Sequence, residues 1–197
     1  METSCTAFKD GHLLASGPVW DVAVAVKAAL ADDTACQILT FDDQTGHPID
    51  FDLRGTDDAV VARLKSPPET NSQIARSPGR PKLGVVAREV TLLPRHWDWL
   101  ASQPGGASVT LRKLVEAARH GGEGRDRRRL AQQAADRFMS AMLGNQAGYE
   151  EASRALYAGN ADRFQDLSSV WPVDLRDYAR RLAAPAFSAE QAAGVAK

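Results

Sequence analysis

The chain has 197 residues, 44% hydrophobic and 25% charged, a globular balance that excludes wholesale disorder and suits one large domain or two to three small ones. Two cysteines, Cys5 and Cys36, are too few for a disulfide framework and read as small buried residues or free thiols of a reducing compartment. The net charge of −1 hides an asymmetry: residues 1–65 hold 5 Lys/Arg against 11 Asp/Glu, residues 66–129 hold 12 against 6, and residues 130–197 hold 7 against 8. A basic middle points to a polyanion, and the acidic N-terminal part either faces a protein partner or docks on that middle. Met1 to Phe8 lacks the basic-then-apolar pattern of a secretory signal, and the longest apolar run, Val22–Val26, is far short of a membrane span. A cytoplasmic chain with no membrane contact is expected.

Residues 5–65 read as a doubled strand-strand-helix unit. Thr6–Phe8 and Leu13–Ser16 flank Asp10-Gly11, a two-residue hairpin signal. Gly17-Pro18 opens a helix with an apolar stripe of Trp20, Ala23, Val24, Val26 and Leu30. Leu39 and Phe41 then alternate as a strand and pair with Ile49, Phe51 and Leu53 around an Asp-Asp-Gln-Thr-Gly turn. Thr56-Asp57-Asp58 caps a short helix carrying Val60, Val61 and Leu64. The natural closure is a four-stranded, mostly antiparallel sheet with two helices on one face. Residues 66–82 are a Pro-, Ser- and Gly-containing linker with a basic arm.

Residues 83–120 change character. Val85, Val86, Val90, Thr91 and Leu92 are strand-like. Pro94 starts a helix with Trp97, Leu100 and Ala101 on one face; Pro104-Gly105-Gly106 breaks it. Ser108 is an N-cap for a second helix with Leu111, Leu114, Val115 and Ala118 at i, i+3, i+4 and i+7, which Gly121-Gly122 ends. Residues 125–184 predict a helical bundle: one helix through Leu130, Ala134, Phe138 and Met142 to Gly144, one through Tyr149, Ala152 and Leu156 to Gly159, one carrying Phe164, Leu167 and Trp171, and one carrying Leu175, Tyr178 and Leu182 before Pro185. Residues 185–197 read as a tail. The class is therefore α+β: an N-terminal sheet, a central strand-helix-helix unit and a C-terminal bundle.

An isolated strand at 88–92 must find a partner for its backbone, and the same strand of a second copy is at hand. The strand-helix-helix run resembles the ribbon-helix-helix family of transcription regulators. That resemblance implies a homodimer whose paired ribbon, Arg88–Leu92, enters the major groove, with Ser108, Val109 and Thr110 clamping a phosphate at a helix N-terminus. If Val90 and Leu92 face the core, then Glu89 and Thr91 face the groove and Arg88 points inward; Glu89 would accept from cytosine yet repel phosphates. Gly79-Arg80-Pro81-Lys82 is similar to the core of an AT-hook, an extended arm for the minor groove of A·T-rich DNA. The expected DNA contacts are thus Arg76, Arg80, Lys82, Arg88, Glu89, Thr91, Ser108, Val109, Thr110 and Arg112. Arg125, Arg127, Arg128 and Arg129 form a second basic run, read as a solvated helix start whose charge opposes the dipole there.

Over about Thr6 to Ala184, the blocks GRPKLGVVAREVTLLPRHWDWLASQPGGASVTLRKLV and AADRFMSAMLGNQAGYEEASRALYAGN resemble a bacterial family known as domain of unknown function 2239, a resemblance that implies no activity. Neither metal nor cofactor is expected: His12, His47, His96 and His120 are scattered, no paired Cys or His spacing exists, and Asp42, Asp43, Asp50 and Asp52 read as turn and strand-face carboxylates. Phosphate-loop, dinucleotide and nucleophile-elbow patterns are missing from the sequence. The leading expectation is a homodimeric DNA-binding regulator. The alternatives are an interaction or dimerisation module without DNA binding, and an enzyme whose site leaves no sequence signature.

Overall fold

The computed structural model describes residues 3–65 and 88–188. The chain divides into two units, residues 1–67 with 124–197 and residues 68–123.

The first unit opens with a hairpin. Strand β1 (Ser4–Lys9) turns at Asp10-Gly11, where both residues take positive φ, and returns as β2 (His12–Pro18). That is the turn whose twist suits a two-residue hairpin. Helix α1 (Val19–Asp32) carries the chain to β3 (Ile38–Asp42), which pairs antiparallel with the free side of β1. The sheet order is β2-β1-β3, so β1 is central and buried on both faces. Cys5 and Ala7 pack with Val22 and Val26 of α1, while Phe8 and Phe41 pack into the larger helical core.

The sheet has three strands, not the four that the alternating pattern predicts. After β3 the turn forms as expected: the Asp42 side chain accepts from the backbone N–H of Gln44 and Thr45 at 3.0 and 2.7 Å. The returning segment then makes one bridge, Phe41 to Pro48, flanked by hydrogen bonds from Asp42 N–H to His47 O and from Ile49 N–H to Thr40 O. Pro48 has no N–H to extend the ladder. Ile49, Phe51 and Leu53 instead pack as loop side chains on the Cys5–Val22–Val26 cluster. Thr56 does cap helix α2 (Asp57–Lys65), accepting from Ala59 N–H at 3.3 Å. The doubling of the N-terminal unit therefore fails at its second hairpin.

The 37-residue helix α4 (Gly106–Met142) follows α3 (Pro94–Ala101) and contributes to both units. It corrects two expectations. Gly121-Gly122 does not end it, and Arg125 is not a helix start but a mid-helix residue. Glycine weakens a helix interior by about 1 kcal/mol without forbidding it, and the Arg-, Gln- and Ala-rich run beyond Gly124 favours helix strongly. The buried face from residue 124 onward is Ala131, Ala134, Ala135, Phe138 and Met139; Leu130 lies outside it.

Helices α5 (Tyr149–Ala158), α6 (Ala161–Ser168) and α7 (Val173–Phe187) follow in the expected order, with left-handed Gly159 closing α5 and the Asn160 side chain capping α6, but α6 ends at Ser168 and Trp171 lies beyond it. Helix α7 continues through Pro185, because buried Ala186 and part-buried Phe187 hold its last turn on the core. Phe8, Phe41, Phe138 and Tyr178 form one aromatic cluster with ring centroids 4.5–6.4 Å apart. It fastens the sheet to α4 and α7. The 42–47 turn seats directly on α4: a Cβ at Gly46 (φ +66°) would lie 2.1 Å from the Ala134 carbonyl oxygen, so only glycine fits.

Candidate nucleic-acid interface

In the second unit, Pro94 occupies the first turn of α3, where its missing N–H costs nothing. Beyond α3 the Ser102 hydroxyl donates to Trp99 O at 2.8 Å, and Gly105 and Gly106 take left-handed φ to reverse the chain into α4. Helix α4 begins at Gly106, so Ser108 lies inside its first turn rather than capping it.

Between α3 and the start of α4 runs a groove of about 260 Å³ lined by Leu92, His96, Trp99, Leu100, Leu111 and Leu114. A second, lined by Trp99, Gln103, Pro104, Thr110, Lys113, Leu114 and Ala117, shares the Trp99–Leu114 wall. Among the described residues of this unit, Leu100 is the one buried apolar side chain. Trp99 and Val115 remain 51% and 56% exposed, and Val90, Leu93, Trp97 and Leu114 are also open. Of the two tryptophans, Trp97 is the less exposed, and neither is buried.

The expected contact residues fall into three groups. Arg76, Arg80 and Lys82 lie outside the described residues. Arg88, Glu89 and Thr91 are exposed, and residues 88–93 form no strand. Val90 is exposed with them, so the alternation that was to separate core from groove side chains is not there. With no strand at 88–92 and no helix end at Gly121-Gly122, the strand-helix-helix unit of the sequence reading is replaced by a segment without regular structure at 88–93, a short helix and the head of a long one. Ser108, Val109, Thr110 and Arg112 do come together in the first turns of α4. Arg112 there folds back, donating from Nε to Ser108 O at 3.1 Å. The first backbone N–H groups of any helix lack partners within it and carry its positive end.

The sequence reading missed a polar cluster in the first unit. Asp43, read as a turn residue, accepts from Ser4 Oγ at 2.5 Å, Thr6 Oγ1 at 2.7 Å, Tyr178 OH at 3.0 Å and Arg181 at 3.1 Å. Its partners lie up to 138 residues away, so no local spacing signals it. All its groups are satisfied, and it works as a staple between β1, the β3 turn and α7. On the loop after Pro48, Asp52 is likewise engaged: it is held by Arg54 and Arg63, and the Arg54 side chain keeps its carboxyl well below the usual range. Among the described residues no His, Cys, Asp or Glu cluster could hold a metal ion, and no helix is long and apolar enough to cross a membrane.

The chain is thus an α+β protein with a three-stranded antiparallel sheet and a helical unit whose apolar side is open. Residues 4–183 match a family described as uncharacterised proteins conserved in bacteria, domain of unknown function 2239, and the chain belongs to it. Neither a curated protein nor a solved structure gives a match.

Proposed function

We propose that this chain is a non-catalytic, homodimeric DNA-binding regulator of transcription working in the cytoplasm. The observation that carries the reading is the open apolar side of residues 88–120, with Leu100 buried and Trp99, Leu114 and Val115 not. One buried apolar side chain among the described residues of the unit does little to offset conformational entropy, and covering the exposed ones by association adds the missing burial. A second copy is the partner that is always present, and an isologous contact sets the same patch against itself. Pairing the units brings two α4 N-termini together, and a two-fold protein reads two half-sites.

Charge supports DNA as the ligand. Residues 66–129 carry 12 Lys/Arg against 6 Asp/Glu, and Arg88 and Arg112 are exposed. The reading is tested by fluorescence anisotropy of a labelled mixed-sequence duplex across a salt series. The expected result is log affinity falling linearly with log salt, with a slope of several. Arg80→Ala should weaken binding to all sequences, and Thr91→Ala should reduce discrimination while leaving the dimer intact. Absence of binding at low salt would sink the DNA assignment. The second reading, dimerisation alone, is favoured by one observation: Glu89 is exposed in the segment that would approach phosphates. It requires a dimer with no salt-sensitive affinity for DNA.

A further inference from the structure

We propose that Arg125, Arg127, Arg128 and Arg129, on the stretch of α4 that belongs to the first unit, form a second contact patch for the phosphate backbone of duplex DNA; this rests on the DNA-binding reading. The run puts four guanidinium groups in five residues. Arg129 meets Asp126 at 3.3 Å, an exposed pair of little energetic consequence. Arg125, Arg127 and Arg128 have no acidic partner among the described residues. Arg125, Arg128 and Arg129 stand at i, i+3 and i+4, one face of the helix, where like charges repel and destabilise it.

The same helix is weakened just before the run. Gly121, Gly122 and Gly124 are helix-interior glycines, each costing about 1 kcal/mol against alanine. Almost every residue from Arg112 to Arg129 is exposed, so packing does not offset either cost. A sequence that breaks its own local rules without compensation marks a functional place. An anion of fixed, close charge spacing removes the repulsion and supplies the missing contacts.

A membrane surface is a poor fit. Residues 116–129, EAARHGGEGRDRRR, hold nothing larger than alanine on any apolar face, and an interfacial helix needs one to insert. A nucleic-acid backbone fits better. The run rises about 6 Å along its helix, against one phosphate per about 3.4 Å of each strand, and guanidinium pairs with phosphate through two parallel hydrogen bonds.

The test compares the parent protein with Arg125→Gln/Arg127→Gln/Arg128→Gln in the duplex titration over a salt series. Glutamine matches arginine closely in helix propensity, and circular dichroism checks the fold. The variant is expected to lose about 2 to 3 from the magnitude of the salt slope, about 0.9 for each phosphate contact, with its preference among sequences unchanged. A variant slope equal to the parent's, with Arg80→Ala/Lys82→Ala still lowering it, overturns this inference and leaves the DNA reading standing. A parent that does not bind the duplex overturns both. Displacement of the duplex from the parent, but not from the variant, by polyglutamate of matched charge would reassign the patch to an acidic protein.

Discussion

At Cys5 the backbone of the central strand sets the chemistry. Its side chain points to α1 among Ala7, Val22 and Val26. Burial, followed by the charges of Asp43 and Asp42, pushes the thiol from 9.0 up to about 12. Burial and Asp43 likewise hold the Tyr178 phenol above its ordinary 10.0. Both groups bind their proton more tightly folded than unfolded. Their stabilising contribution is complete below about pH 9, near the unfolded Cys value, and is lost as pH rises toward the folded values. The urea midpoint should therefore be flat from pH 7 to about 9 and fall above it, and Cys5→Ala should flatten the first part of that fall. A midpoint unchanged to pH 11 would contradict the assignment. Cys36, half-buried and donating to Asp33 O, should react with a thiol reagent while Cys5 stays protected until unfolding.

Gly46 gives a sharper test at the same scale. Any side chain there meets the α4 backbone at Ala134 and must also take a left-handed φ. Gly46→Ala should destabilise the first unit by about 2–4 kcal/mol, the upper end of the usual range for a point change and somewhat beyond it, as read by urea unfolding. A change within about 0.5 kcal/mol, the range of neutral surface substitutions, would mean that the turn does not seat on α4. Residues of this kind divide what a sequence reveals. Asp10-Gly11, Thr56, Pro94 and Gly159 act within a few residues of themselves, and their turns, caps and ends were legible. Asp43 and Gly46 act on partners far along the chain, and nothing near them announced it. Pro48 stood in plain view, but the Leu39–Leu53 alternation outweighed it, and the fourth strand predicted from that alternation does not form.

At the scale of elements, α4 is the instructive case. Its head carries a stripe at Leu111, Leu114 and Val115, its middle carries polar groups and glycine, and its later turns bury Ala131, Ala134, Ala135, Phe138 and Met139. Local signals divided it into two helices because Gly121-Gly122 is a normal stop; nothing in the sequence says that the chain continues through. Gly121 and Gly124 take no left-handed φ, and a Cβ at either meets nothing within 4 Å. Gly121→Ala/Gly124→Ala should then stabilise the helix by about 0.5–1 kcal/mol per site. Amide hydrogen exchange across 118–128 should slow several-fold while 131–139 stays unchanged. Equal protection of the two stretches in the parent protein would show that the glycines do not weaken the helix.

For the whole molecule, the candidate site was legible in part. The two helices at 94–101 and from 106, their turn and their apolar stripe follow from sequence, because capping and periodicity are local. The strand at 88–92 does not appear, since a strand needs partners that no single segment contains. Closure of the open face of the second unit by a second copy, as proposed, doubles the mass in solution. Light scattering coupled to size exclusion, at micromolar concentration and moderate salt, should give about twice the chain mass of 21.2 kDa. Leu114→Asp should return the mass to that of one chain and cost the affinity for DNA, while the unfolding of the first unit stays as it was. A parent protein of single-chain mass across the accessible concentrations, with Leu114→Asp indistinguishable from it, would contradict the account.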